Sequence, residues 1–139
     1  MAGGNDLCST EDPIPLINYA EIREDFAKIF HHLSEIKQSE RIRVLVSGVP
    51  NIPDLGKEEI QTARTVDNIR CHVMRDEVLH FCNSMVAWKS ADEYQAREEA
   101  VQKMNSILQQ VVHDAILQYP SLDVVFSNKL FDITVKIED

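Results

Sequence analysis

The spacing of apolar positions changes along this chain, and each change marks an element. Ile22, Phe26, Ile29, Phe30, Leu33 and Ile36 recur at three- and four-residue steps, which predicts an amphipathic helix running to about Gln38. Asn18 stands where an N-cap belongs, and Glu21 three residues later completes a capping-box pattern. Arg41–Pro50 (R-I-R-V-L-V-S-G-V-P) holds the unbroken apolar run Val44-Leu45-Val46, the mark of a strand covered on both faces in a parallel sheet. Lys57–Asp67 is polar and weakly periodic, consistent with one short helix. From His72, the positions Val73, Val78, Leu79, Phe81, Cys82, Met85, Val86 and Trp88 predict a second helix, broken or bent near its start.

Ser90 and Glu93 form an S-x-x-E box ahead of the longest helix, about Asp92 to Tyr119. Its apolar face runs through Ala100, Val101, Met104, Ile107, Leu108, Val111, Val112, Ala115 and Ile116, and Pro120 ends it for want of an N–H. Leu122–Phe126 reads as a second strand, and the alternation over Phe131–Ile137 as an edge strand or extended tail. Strand, helices, strand is a parallel crossover unit, so the fold class is α/β. Val44–Ser47 and Val124–Phe126 are expected side by side and parallel, with the long helix packed on them. Two such apolar strands also demand neighbours that this chain does not obviously supply.

Composition narrows the picture. The 139 residues suit one domain with a real core, and 44% apolar with 27% charged residues is ordinary globular usage. A net charge of −9, without a basic run, argues against nucleic acid as a partner. No apolar run approaches the ~18 residues of a membrane span. No charged n-region followed by an apolar h-region opens the sequence, so no signal peptide is visible and the compartment stays open. Cys8, Cys71 and Cys82 allow at most one internal disulfide and leave a thiol over.

Few residues carry candidate chemistry. Gly3-Gly4-Asn5-Asp6 reads as a tight turn, in which glycine gives backbone freedom and the Asn and Asp side chains bond locally. Ligands of open parallel sheets gather beyond the carboxyl ends of the strands, which makes Asn51 and Asp54 candidate rim residues beside an ordinary loop role. His31 and His32 lie late in the first helix, where histidine is usually structural. Cys71, His72, His80 and Cys82 have a spacing that matches no common zinc pattern; they read as buried or weakly exposed thiols, with a Cys8–Cys82 bridge the alternative in an oxidising compartment. The sequence has no G-x-S-x-G elbow, and no serine or histidine stands in a context that singles it out.

Three segments together carry a resemblance. Gly3–Cys8 (G-G-N-D-L-C), Val44–Pro53 (V-L-V-S-G-V-P-N-I-P) and Phe81–Met85 (F-C-N-S-M) are similar, in order, to consecutive segments of the SGNH (GDSL-type) lipases and esterases, and the similarity covers nearly the whole chain. The resemblance implies an incomplete flavodoxin-like three-layer fold with parallel strands and long helices, residues 1–139 forming one partial domain. It gives Asn5 the role of side-chain donor in the oxyanion hole, with Gly4 and Asn51 beside the substrate. It implies a small ester or lipid substrate in the complete enzyme and no cofactor; members of the family are often secreted. The family's nucleophilic serine, its oxyanion-hole glycine and its D-x-x-H block have no counterpart here, so the chain is expected to be an inactive internal piece of such an enzyme. The alternative from another class is a non-catalytic α/β module that binds a protein chain through an exposed sheet edge or its apolar helix faces.

Overall fold

The computed structural model describes residues 7–8, 17–36, 41–64, 68–73 and 82–129. Its elements in chain order are α1 (Tyr19–Glu35), β1 (Ile42–Ser47), a 3₁₀ turn (Ile52–Gly56), α2 (Glu58–Thr62), α3 (Cys71–Val73), α4 (Asn83–Val86), α5 (Ala91–Gln118) and β2 (Leu122–Ser127). β1 and β2 are parallel neighbours in register, Ile42 opposite Leu122 and Ser47 opposite Ser127. The protein is therefore mixed α/β, with a two-stranded parallel sheet and a majority of helix among the described residues.

Local chemistry sets both long helices. The Asn18 side chain accepts from the Glu21 amide at 3.2 Å and donates to the Glu21 carboxylate at 3.0 Å, satisfying an amide that the first turn of α1 leaves free. At the start of α5, Ser90 Oγ accepts from the Glu93 amide at 3.2 Å, while Glu93 reaches back to the Lys89 amide at 2.7 Å. The Ser90–Glu93 box thus closes one residue further back than the usual form.

α5 is the spine of the core. It buries Ala100, Val101, Met104, Leu108, Val111, Val112 and Ala115 against the sheet and against α1. One apolar cluster joins these to Phe30 of α1, Val46, Leu122 and Val124 of the strands, and Leu7, Met85 and Val86. Side chains of this kind contribute about 1.5–3 kcal/mol each when fully buried. At the α1–α5 border the Tyr19 hydroxyl donates to the Ala100 carbonyl at 3.5 Å, and the Lys103 ammonium lies 4.4 Å from the Tyr19 ring centre. Arg23 meets Asp114 at 2.6 Å in solvent. The hydrogen bond from Gln110 first, and Arg23 second, hold the Asp114 carboxyl below its ordinary range.

Two expectations change. The run Val44-Leu45-Val46 is not covered on both faces: Val46 is buried and Val44 half-buried, whereas Leu45 is 68% exposed and its neighbour Val125 48% exposed. Among the described residues only the α5 face of the sheet is packed. The helix expected from His72 to Trp88, broken or bent near its start, is instead interrupted at Cys82 and ends at Val86, its described parts being α3 and α4. Cys82, just before α4, has φ of 53°, a left-handed conformation that a continuous helix excludes. The expected strand or tail at Phe131–Ile137 lies outside the described residues.

Candidate functional site

The described polar groups concentrate where β1 and β2 end. The Gly48 amide donates to the Ser127 carbonyl at 2.8 Å, extending the parallel ladder by one bond beyond β1. A Cβ at Gly48 would push the exposed Asn128 side chain aside and crowd the buried Asn105 amide, so glycine suits the close approach there. The next residue, Val49, is held from the side. Its amide donates to Asn105 Oδ1 at 2.6 Å, and Asn105 Nδ2 donates to its carbonyl at 2.9 Å. Asn105 thus pairs with the Val49 backbone much as an adjacent strand would. At 5% exposure it is the buried polar residue of the described core.

The rim continues in a second cluster. Asn51 Nδ2 donates to Glu98 Oε1 at 3.1 Å and lies 3.4 Å from the Tyr94 hydroxyl. Tyr94 donates to Asp54 Oδ1 at 2.7 Å, and the Lys57 ammonium reaches the same oxygen at 2.9 Å. Burial first, and the bond to Asp54 second, push the Tyr94 phenol above its ordinary value of 10.0. The bond to Asp54 likewise raises Lys57. Trp88 donates from its indole to the Pro53 carbonyl at 2.9 Å and stands edge-on to Tyr94 at 5.2 Å between ring centres. The donors of Asn51 are therefore engaged, while its Oδ1 is buried with no hydrogen-bond partner among the described residues.

A third group brings distant sequence to the same place. α4 packs on the 3₁₀ turn that follows β1. Cys82, at the head of α4, is bonded to Cys8 across 74 residues. Ser84 Oγ donates to the Leu7 carbonyl at 3.4 Å, Leu7 is fully buried, and Arg97 of α5 donates to the Ser84 carbonyl at 2.8 Å. The described parts of all three resembling segments, Leu7–Cys8, Val44–Pro53 and Cys82–Met85, thus converge, and α5 touches two of them directly. On the other side of Asn105 lies an open cleft of about 290 Å³, lined by Gln102, Asn105, Ser106, Gln109, Phe126 and Asn128, with no charged side chain.

Asn5 and Gly4 lie outside the described residues, as does His80; Asn51 and Asp54 stand at the rim, as the switch-point rule suggests. His31 and His32 are both exposed on α1, the former 6.3 Å from the Tyr119 ring. The Cys82 sulfur is committed to Cys8, which removes it as a metal ligand, while Cys71 is a free, half-buried thiol. Among the described residues no cluster of His, Cys, Asp or Glu is suited to a metal ion, and no helix is long and apolar enough to cross a membrane. No described serine hydroxyl bonds to a histidine ring: Ser34 Oγ donates to the His31 backbone carbonyl at 2.6 Å, and His72 Nδ1 sits 2.9 Å from the Gln61 carbonyl. Asn105 was the residue sequence reasoning missed. Its signal is an amide at a position between Val101, Met104 and Leu108, inside the apolar stripe of α5.

The fold and rim define a mixed α/β protein with parallel strands and a polar edge at their carboxyl ends. No protein-family model, curated protein or solved structure matches the chain.

Proposed function

We propose that this chain is part of an SGNH/GDSL-type serine hydrolase, a carboxylic-ester hydrolase that works through an acyl-enzyme, and that it is inactive without the remaining catalytic blocks. The observation that carries the reading is the convergence just described. The described parts of three segments that resemble this family in sequence order, far apart in the chain, meet beyond the carboxyl end of β1, where parallel sheets bind ligands. In this reading Asn5, three residues before the bridged Cys8, supplies a side-chain N–H to the tetrahedral oxyanion, with Gly4 and Asn51 nearby. The uncovered Leu45–Val125 face supports the flavodoxin-like, three-layer form of the fold, in which further elements cover that side.

Ester hydrolysis by this route needs an activated hydroxyl, a base and an oxyanion site together. A donor alone stabilises nothing until a nucleophile attacks the carbonyl. The purified chain is expected to hydrolyse a p-nitrophenyl ester no faster than its Asn5→Ala variant. Joined to a G-D-S-containing segment before it and a D-x-x-H-containing segment after it, the chain should turn the ester over, and Asn5→Ala should then cut kcat about 100-fold or more. Saturable turnover by the chain alone, lost on replacing one of its own serines, contradicts the reading.

The bare sheet face also favours a second reading, a non-catalytic module that covers Leu45 and Val125 with a partner chain. A joined enzyme that stays inactive, while the chain alone forms a stable complex abolished by Leu45→Asp, selects that alternative.

A further inference from the structure

We propose that Asn105 is a positioning residue, the pin that fixes the rim loop after β1 and, through it, the segment bonded to Leu7 and Cys8. The structural part stands on geometry alone; the catalytic consequence rests on the esterase reading.

A strand that ends at the edge of a sheet leaves its following backbone without ladder partners, and buried peptide groups must find others. β1 faces this problem after Gly48, whose amide makes the last ladder bond, to Ser127. Val49 is 4% exposed, and its N–H and C=O are both satisfied by one side chain, Asn105. At neutral pH an amide offers a donor and an acceptor at that spacing without charge. Neighbouring side chains in the cleft (Gln102, Ser106, Gln109, Phe126, Asn128) bring no charge that would replace it. Asn105 also stands on the most extensively packed element, between the buried Met104 and Leu108, so its own position is fixed by the core.

The pin then acts at a distance through contacts already described. Beyond Val49 and Pro50, the loop enters the 3₁₀ turn, which is tied to α5 by Asn51–Glu98 and by Asp54–Tyr94. That turn carries α4, and α4 carries Leu7 and Cys8 through the Ser84 bond and the disulfide. α5 holds this train at Tyr94, Arg97 and Glu98 near its start and at Asn105 further along. Of these holds only Asn105 is buried.

Hydrogen exchange read by mass spectrometry tests this on the chain itself. In Asn105→Ala, amides of the segment 48–56 are expected to exchange about tenfold faster or more, as two bonds to a buried peptide are lost. Peptides within 42–47 and 122–127 should change by less than about twofold, because the ladder does not depend on Asn105. Equal loss of protection in strands and rim overturns the proposal, since Asn105 is then a general core residue; no change at 48–56 overturns it too. Should Asn105→Ala fail to fold, Asn105→Asp replaces it. A protonated Asp at that site can still donate to the Val49 carbonyl, whereas the ionised form repels it. After correction for intrinsic exchange, protection of 48–56 in Asn105→Asp should be higher at pH 4 than at pH 7, while wild type shows no such difference; equal protection overturns the proposal. In the joined enzyme, Asn105→Ala is expected to lower kcat with KM little changed. If the joined enzyme is inactive, the esterase reading fails and the exchange result stands by itself.

Discussion

The two faces of the β1–β2 sheet both carry apolar side chains at their centre, and these meet opposite fates. Val46, Leu122 and Val124 point to α5 and are buried; Leu45 and Val125, one residue away on each strand, point to solvent. On the covered face, apolar contact is continuous from the strands through α5 to Phe30 of α1. On the bare face, the neighbours of Leu45 and Val125 are the Arg43–Asp123 ion pair, at 2.8 Å, and the hydroxyls of Ser47 and Ser127. A side chain such as Leu gains about 1.5–3 kcal/mol on full burial, a gain that this face forgoes. The covered face joins the sheet to the apolar core. The bare one is the place where covering by another chain or segment would add to it.

A graded set of changes separates the contributions of the covered core and the bare face. The largest effect is expected from reducing Cys8–Cys82, which closes a 74-residue separation. Loop-closure entropy for that length corresponds to about 4 kcal/mol, to be read from the urea midpoint with and without dithiothreitol. Met104→Ala, at a fully buried site of α5, should cost about 3 kcal/mol in the same assay. Ser90→Ala, which removes the cap of α5, should cost about 1 kcal/mol. Leu45→Ser on the bare face should shift stability by less than about 0.5 kcal/mol in this chain. The same substitution in the joined enzyme should cost about 2 kcal/mol if that face is covered there. Equal costs for Met104→Ala and Leu45→Ser in the isolated chain would remove the distinction between the faces.

The rim adds a prediction in pH. Tyr94 and Lys57 both hold their protons more tightly in the folded state than their ordinary values of 10.0 and 10.5. The folded chain therefore binds more protons in alkali than the unfolded one, and stability must fall as pH rises. Their contribution is full below about pH 10 and is lost as pH climbs through the raised values. Tyr94→Phe should flatten the alkaline limb of a thermal-melting profile, leaving the neutral region less affected.

Much of the fold was legible because local signals and tertiary packing agree. The caps at Asn18 and Ser90 announce both long helices, and Pro120 closes the second. The pairing of β1 with β2 followed from short apolar runs on either side of helical periodicity. The failures have physical causes. An unbroken apolar strand implies two covered faces, and the Val44-Leu45-Val46 run satisfies that pattern while one face stays open. The helix expected after His72 has the right period around Met85 and Val86, but Cys82 adopts a left-handed backbone where it bonds to Cys8, a constraint no local pattern contains. The rim was half legible: Asn51 and Asp54 follow from the end of a strand, whereas Asn105 is hidden in an apolar stripe, where its polarity is the clue.

The Cys8–Cys82 bridge and the Ser84–Leu7 bond hold Leu7–Cys8 against α4 at the rim, which brings the described parts of the resembling segments together. Disulfide mapping tests it most directly. The chain is refolded in a glutathione redox buffer, alkylated without reduction, digested and analysed by mass spectrometry. The predicted result is a single cross-linked pair containing Cys8 and Cys82, with Cys71 alone alkylated. A bridge that includes Cys71, or three alkylated thiols in a folded chain, would contradict it.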